Sequence, residues 1–113
     1  QKVENIKSNF PFINEVKWGE IENCDIFINA TSVGLHKEDN LDIDFKKIGK
    51  NKFFFDVIYN PPRTNFLKNA EELGHKVLNG KTMFIYQAQK AFEIWHNKLP
   101  LVDNDLIKFL YND

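Results

Sequence analysis

The run Phe53-Phe54-Phe55-Asp56-Val57-Ile58-Tyr59 is seven residues long and apolar but for one acid. Its length and its aromatic and β-branched content read as a buried strand. Asn60-Pro61-Pro62-Arg63-Thr64 follows as a proline turn. Thr64 stands where a helix needs a cap, Phe66, Leu67, Ala70 and Leu73 then recur at helical spacing, and Gly74 is a natural stop. Lys76-Val77-Leu78 reads as a short strand, and Gly80 precedes a long helix from about Thr82 to His96 that carries Gln87. Strand, loop, helix, strand, loop, helix implies an α/β fold: a doubly wound, mostly parallel sheet with helices on both faces.

Upstream, Asp25-Ile26-Phe27-Ile28 is apolar at consecutive positions, as strands of parallel sheets tend to be. It runs into Asn29-Ala30-Thr31-Ser32-Val33-Gly34. Residues 35–52 are charged and irregular, expected to form a loop with one short helical turn, tacked down by Leu41, Ile43, Phe45 and Ile48. Gln1 to Asn9 has Val3 and Ile6 among polar residues and reads as the end of an amphipathic helix closed before Pro11. Ile13 to Trp18 is a further strand candidate, and Gly19 to Asn23 a turn. In the long helix the expected apolar set is Met83, Phe84, Ala88, Ala91, Phe92 and Trp95. Gln87, one turn from both Met83 and Ala91, is expected on or beside that apolar face. After Leu99-Pro100, Asp103 is placed to cap a last helix with Leu106, Ile107, Phe109 and Leu110 as its buried side.

Composition narrows the function classes. The 113 residues suffice for one domain with a core, and 42% hydrophobic with 27% charged residues is the balance of a soluble globular protein. A net charge of −1 argues against nucleic acid or acidic membrane as the main partner, since either needs a basic face. No apolar run approaches the roughly 20 residues of a membrane span. The opening Gln1-Lys2-Val3-Glu4 lacks the apolar core of a signal peptide, and the single Cys24 cannot form an internal disulfide, so a cytoplasmic protein is expected. The chain starts without methionine in the middle of what reads as a helix, and is taken to be a piece of a longer polypeptide.

In parallel sheets ligands bind beyond the carboxyl ends of the strands. That rule points to residues 29–34, 57–64 and 79–83. The small and hydroxyl residues after the first strand either admit a ligand close to backbone or form a tight turn whose hydroxyls bond their own backbone. Tyr59 either projects a phenol over the cleft or is a half-buried core tyrosine. Asp56 in an apolar strand needs hydrogen-bond partners if buried. Gly80 permits close approach of a flat ring, with Met83 packed on it, or is only a turn glycine beside a core methionine. Gln87 has four hydrogen-bonding sites to satisfy, against backbone or against a polar ligand. His36, His75 and His96 are scattered without metal or acid–base spacing, and no metal site is expected. Neither a P-loop nor Gly-x-Gly-x-x-Gly is present, since all five glycines are isolated.

Taken in order with their gaps, Asn29-Ala30-Thr31-Ser32-Val33-Gly34, Asp56-Val57-Ile58-Tyr59-Asn60-Pro61, Thr64 with Leu67, Asn79-Gly80, and Met83 through Gln87-Ala88 to Phe92 and Trp95 resemble the C-terminal half of shikimate dehydrogenase. The resemblance covers nearly the whole chain and is carried by the ordered set, since each segment alone is weak. It implies residues 1–113 are a partial Rossmann domain that binds NADP, following an N-terminal domain that binds shikimate and supplies a catalytic lysine–aspartate pair. The implied reaction is reversible hydride transfer between NADPH and 3-dehydroshikimate. By the same resemblance Tyr59 and Gln87 match substrate contacts. Val57 and Gly80 match contacts to the nicotinamide end, Met83 a residue packed near it, and Thr31 and Ser32 positions beside the cofactor.

The lysine–aspartate pair, the glycine-rich phosphate loop and the residues that choose NADP over NAD have no counterpart here, so the fragment alone is expected to be inactive. Leu35 and Gln89 depart from the commoner family residue types. A quinate/shikimate dehydrogenase is an alternative in the same class. A non-catalytic nucleotide-binding or interaction module is an alternative in another. If Gln1 lies in the helix after the second strand of the order 3-2-1-4-5-6, the first two strands are absent and the Ile13–Trp18 strand has no neighbour, while the strands at Asp25, Phe53 and Lys76 form a three-stranded sheet with an open edge, which invites homo-oligomers.

Overall fold

The computed structural model describes residues 2–111. Three strands, β1 (Ile26–Asn29), β2 (Phe53–Asp56) and β3 (Lys76–Leu78), form one parallel sheet in the order β1-β2-β3. Among the described residues four helices accompany it: α1 (Lys2–Asn9), α2 (Asn65–Glu72), α3 (Lys81–His96) and α4 (Asn104–Tyr111), with one 3₁₀ turn at Phe45–Lys47.

The register aligns Phe27 with Phe54 and Phe54 with Val77, so these three share a face. On that face Phe54 is fully buried and stacks on Phe27 at 4.8 Å between ring centroids. Phe66 of α2 meets it at 5.3 Å and Phe45 of the 3₁₀ turn at 5.8 Å. Leu41, Leu67 and Ala70 complete the cluster. Each large side chain buried there contributes about 1.5–3 kcal/mol. The charged 35–52 segment is thus a lid on the core, held by the apolar residues spaced through it.

The opposite face carries Ile26, Ile28 and Leu78, which are 57%, 61% and 42% exposed. α2 packs on β2 and β3 from the Phe54 side. The radius of gyration is 16.9 Å, against about 13 Å for a compact domain of this size. The chain is therefore spread out, with apolar surface left uncovered.

Several expectations meet corrections. Ile13 to Trp18 is irregular and makes no strand. β1, β2 and β3 are the whole sheet among the described residues, so this segment has no neighbour to ladder with. β2 ends at Asp56, three residues short of Tyr59, because the Ile58 N–H turns to the Asp56 carboxyl at 3.0 Å. In α3 only Ile85 is buried, while Met83, Phe84, Phe92 and Trp95 are exposed. Apolar residues occur all round this helix, so periodicity could not single out a face. Gln87 is exposed rather than seated against a packed stripe. α4 buries no residue fully, though its cap is as expected: the Leu106 N–H donates to Asp103 Oδ1 at 2.8 Å.

Candidate functional site

The carboxyl ends of β1 and β2 are tied by a buried polar knot. Asn29 stands opposite Asp56 in the register, and its Nδ2 donates to Asp56 Oδ1 at 3.2 Å and to the Val33 carbonyl at 2.9 Å. The other Asp56 oxygen accepts from Thr64 Oγ1 at 2.6 Å. Thr64 Oγ1 in turn accepts from the Leu67 N–H at 3.3 Å, capping α2. Asp56 is fully buried, and these bonds supply the partners its burial requires.

The knot shapes the loop after β1. Thr31 donates its hydroxyl to Asn29 Oδ1 at 2.7 Å and accepts from the Val33 N–H at 3.1 Å. The Thr31 hydroxyl is thereby committed to the turn. Ser32 is exposed. Gly34 has φ +121°, and a Cβ there would lie 3.0 Å from the Thr64 methyl. Asp39 accepts from the Gly34 N–H at 3.0 Å and the His36 N–H at 3.1 Å, and these bonds, Gly34 first, hold its carboxyl below the usual range.

The second wall is the start of α3. Gly80 is buried, and its N–H donates to the Ile58 carbonyl at 3.1 Å. A Cβ on Gly80 would lie 2.5 Å from the Val57 carbonyl carbon and closer still to its oxygen. Its φ is −74°, so glycine is required here for space and not for torsion. Asn79 fixes the approach, donating to the Pro62 carbonyl at 3.0 Å and accepting from the Lys81 N–H at 3.1 Å. One turn on, Phe84 stacks on Tyr59 with ring centroids 4.6 Å apart.

The structure thus brings Val57 and Gly80 together, and places Tyr59 beside Phe84 of the helix that carries Met83 and Gln87. Tyr59, Met83 and Gln87 are all exposed, so they form an open wall rather than an enclosed pocket. Thr31 instead lines a hollow of about 260 Å³ with Trp18, Phe27 and Leu41. Sequence reasoning missed Phe84 as the partner of Tyr59 and read it as core. Its place four residues after Gly80 was visible, but the crossing of α3 over the end of β2 was not. Among the described residues no group of His, Cys, Asp or Glu is arranged to hold a metal, and no helix is long and apolar enough to cross a membrane.

No protein-family model matches the chain. A relative from Pelagibacter ubique named shikimate dehydrogenase (NADP+) is 57% identical over 96% of this chain and 41% of its own length. The chain belongs to the shikimate dehydrogenase family. It matches the C-terminal part, and spans about two-fifths of the curated relative's length. The solved shikimate dehydrogenase of Aquifex aeolicus superposes with a TM-score of 0.76 and 31% identity, over 89% of this chain and 38% of that one. A Listeria monocytogenes shikimate 5-dehydrogenase solved with shikimate and NAD superposes with a TM-score of 0.66 and 38% identity, over 77% of this chain and 30% of that one. The parallel sheet and its α/β class are those of these neighbours.

Proposed function

We propose that the full-length protein is a cytoplasmic, NADP-dependent shikimate dehydrogenase, and that residues 1–113 are part of its cofactor-binding domain. The observation that carries this reading is the 57% identity to the Pelagibacter ubique relative over 96% of the chain. Bound there, NADP would supply the hydride chemistry that interconverts the ketone of 3-dehydroshikimate and the alcohol of shikimate. The residues present suit its nicotinamide end: Gly80 lies flush against the Val57 carbonyl and leaves no side chain standing between them. Met83, half exposed beside it, offers an apolar edge to a flat ring.

Tyr59 presents its phenol to a substrate hydroxyl or carboxylate, with the ring held by Phe84. Gln87 presents its amide from the exposed side of α3. Thr31 contributes backbone and methyl surface beside the cofactor, because its hydroxyl is already engaged, and Ser32 contributes a hydroxyl. The acid–base pair belongs to the preceding N-terminal domain, which is the partner this open wall requires.

The test is turnover by the purified full-length protein, followed by the absorbance of the reduced nicotinamide. Shikimate oxidation with NADP+ is expected, faster than with NAD+ and faster than quinate oxidation. Preference for quinate would move the protein to the quinate/shikimate class. No turnover of either, with dinucleotide still bound, would favour a binding module.

A further inference from the structure

The first turn of α3 has no side-chain cap from Gly80, yet it carries Gly80 and Met83. A contact from the far end of the chain holds it. The Gln89 amide donates to the Pro100 carbonyl at 2.7 Å, and the chain then returns so that α3 and α4 line one hollow through Phe84, Ala88, Leu106 and Leu110. This return brings Tyr111 to the start of α3. The Tyr111 hydroxyl lies 3.1 Å from Thr82 Oγ1, and the Lys81 ammonium stands over the Tyr111 ring, 4.4 Å from its centroid. One side chain therefore grips two successive residues immediately after Gly80, by two different interactions. On its other side the same turn is fixed by Asn79, whose Oδ1 accepts from the Lys81 N–H.

We infer that Tyr111 is a positioning residue, which clamps the first turn of α3 through Thr82 and Lys81 and so sets Gly80 and Met83 for the nicotinamide dinucleotide. This rests on the function proposed above. In this role Tyr111 acts through the helix start, by way of Thr82 and Lys81.

The Phe84 N–H donates to the Gly80 carbonyl at 2.9 Å, the first bond of the helix, and reports the state of this turn directly. In the full-length protein, Tyr111→Ala should speed hydrogen exchange at the Phe84 amide about tenfold and leave the Phe54 amide of β2 unchanged. The KM for NADPH should rise several-fold with a smaller change in kcat. Tyr111→Phe keeps the ring under Lys81 and loses only the hydroxyl bond, so its shifts should be about a third as large.

Exchange and KM moving together, with the Phe variant between, supports the clamp. Unchanged exchange at Phe84 in Tyr111→Ala overturns it. Faster exchange with unaltered kinetics also overturns it, since Tyr111 would then only firm up the helix. A parent protein that turns over no shikimate sinks the dehydrogenase reading itself. An active parent with an indistinguishable Tyr111→Ala variant sinks the clamp alone.

Discussion

Thr64 Oγ1 donates to the buried Asp56 carboxyl at 2.6 Å and accepts from the Leu67 N–H at 3.3 Å. One hydroxyl thus joins the end of β2 to the start of α2. Thr64→Val keeps the shape and removes both bonds. It should cost the full-length protein about 2–3 kcal/mol, from a lost cap and an under-bonded buried carboxyl. Thr64→Ser should cost much less. Denaturant unfolding of the two variants checks the contrast, and equal midpoints would refute it.

Gly80→Ala places a methyl into the Val57 carbonyl. The helix start must move away from the end of β2, at about 1–3 kcal/mol of overpacking. Because that movement opens the surface proposed for the nicotinamide, the KM for NADPH should rise more than the KM for shikimate. Steady-state kinetics with each substrate varied in turn gives the answer.

Gln87→Ala separates a ligand residue from a structural one. Gln87 is exposed, so the change should leave stability within about 0.5 kcal/mol. The KM for shikimate should nevertheless rise several-fold. If neither KM nor kcat changes, Gln87 is not a substrate contact.

Asp39 gives a pH dependence of definite sign. Its carboxyl is held below the usual range by the Gly34 and His36 N–H groups. A depressed folded value means that its stabilisation of the 34–39 loop is fully present above the unfolded value of about 4 and fades as pH falls through the folded one. Protection of the Gly34 and His36 amides should therefore weaken below about pH 4. In Asp39→Asn that acid-dependent step should be gone, which NMR titration of the two amides can follow.

The 113-residue chain by itself should associate or melt without cooperativity, since Ile26, Ile28 and Leu78 leave one face of the sheet uncovered. Sedimentation and a thermal scan decide this. A monomer with one sharp transition would sink the expectation.

Local chemistry in this sequence was legible. The three strands, the Thr64 and Asp103 caps, the Gly74 stop and the need of Asp56 for partners each follow from a few adjacent residues. What could not be read depends on contacts between distant ones. α3 is apolar around its circumference, so its single buried residue, Ile85, could not be told from Phe84 or Trp95. The Ile13 to Trp18 segment has strand-like composition, and the strand order already implied that it would lack a neighbour; that it then forms no strand at all was the unread part. For the site, the placement of Val57 just beyond β2 and of Gly80 at the start of α3 followed from parallel-sheet topology. The stacking of Phe84 on Tyr59 and the reach of Tyr111 to Thr82 did not, since both depend on how helices cross.

The pairing of Asn29 with Asp56 across β1 and β2 also acts as an alignment key. Phenylalanines at three successive β2 positions would tolerate several alignments of the strands on hydrophobic grounds alone. Only one of them lets the Asn29 amide meet the Asp56 carboxyl. A slip of one strand by one residue would put Asn29 and Asp56 on opposite faces and leave both polar groups without each other. Mis-aligned sheets are thereby rejected at the strand ends, where the loops proposed to face the ligand begin.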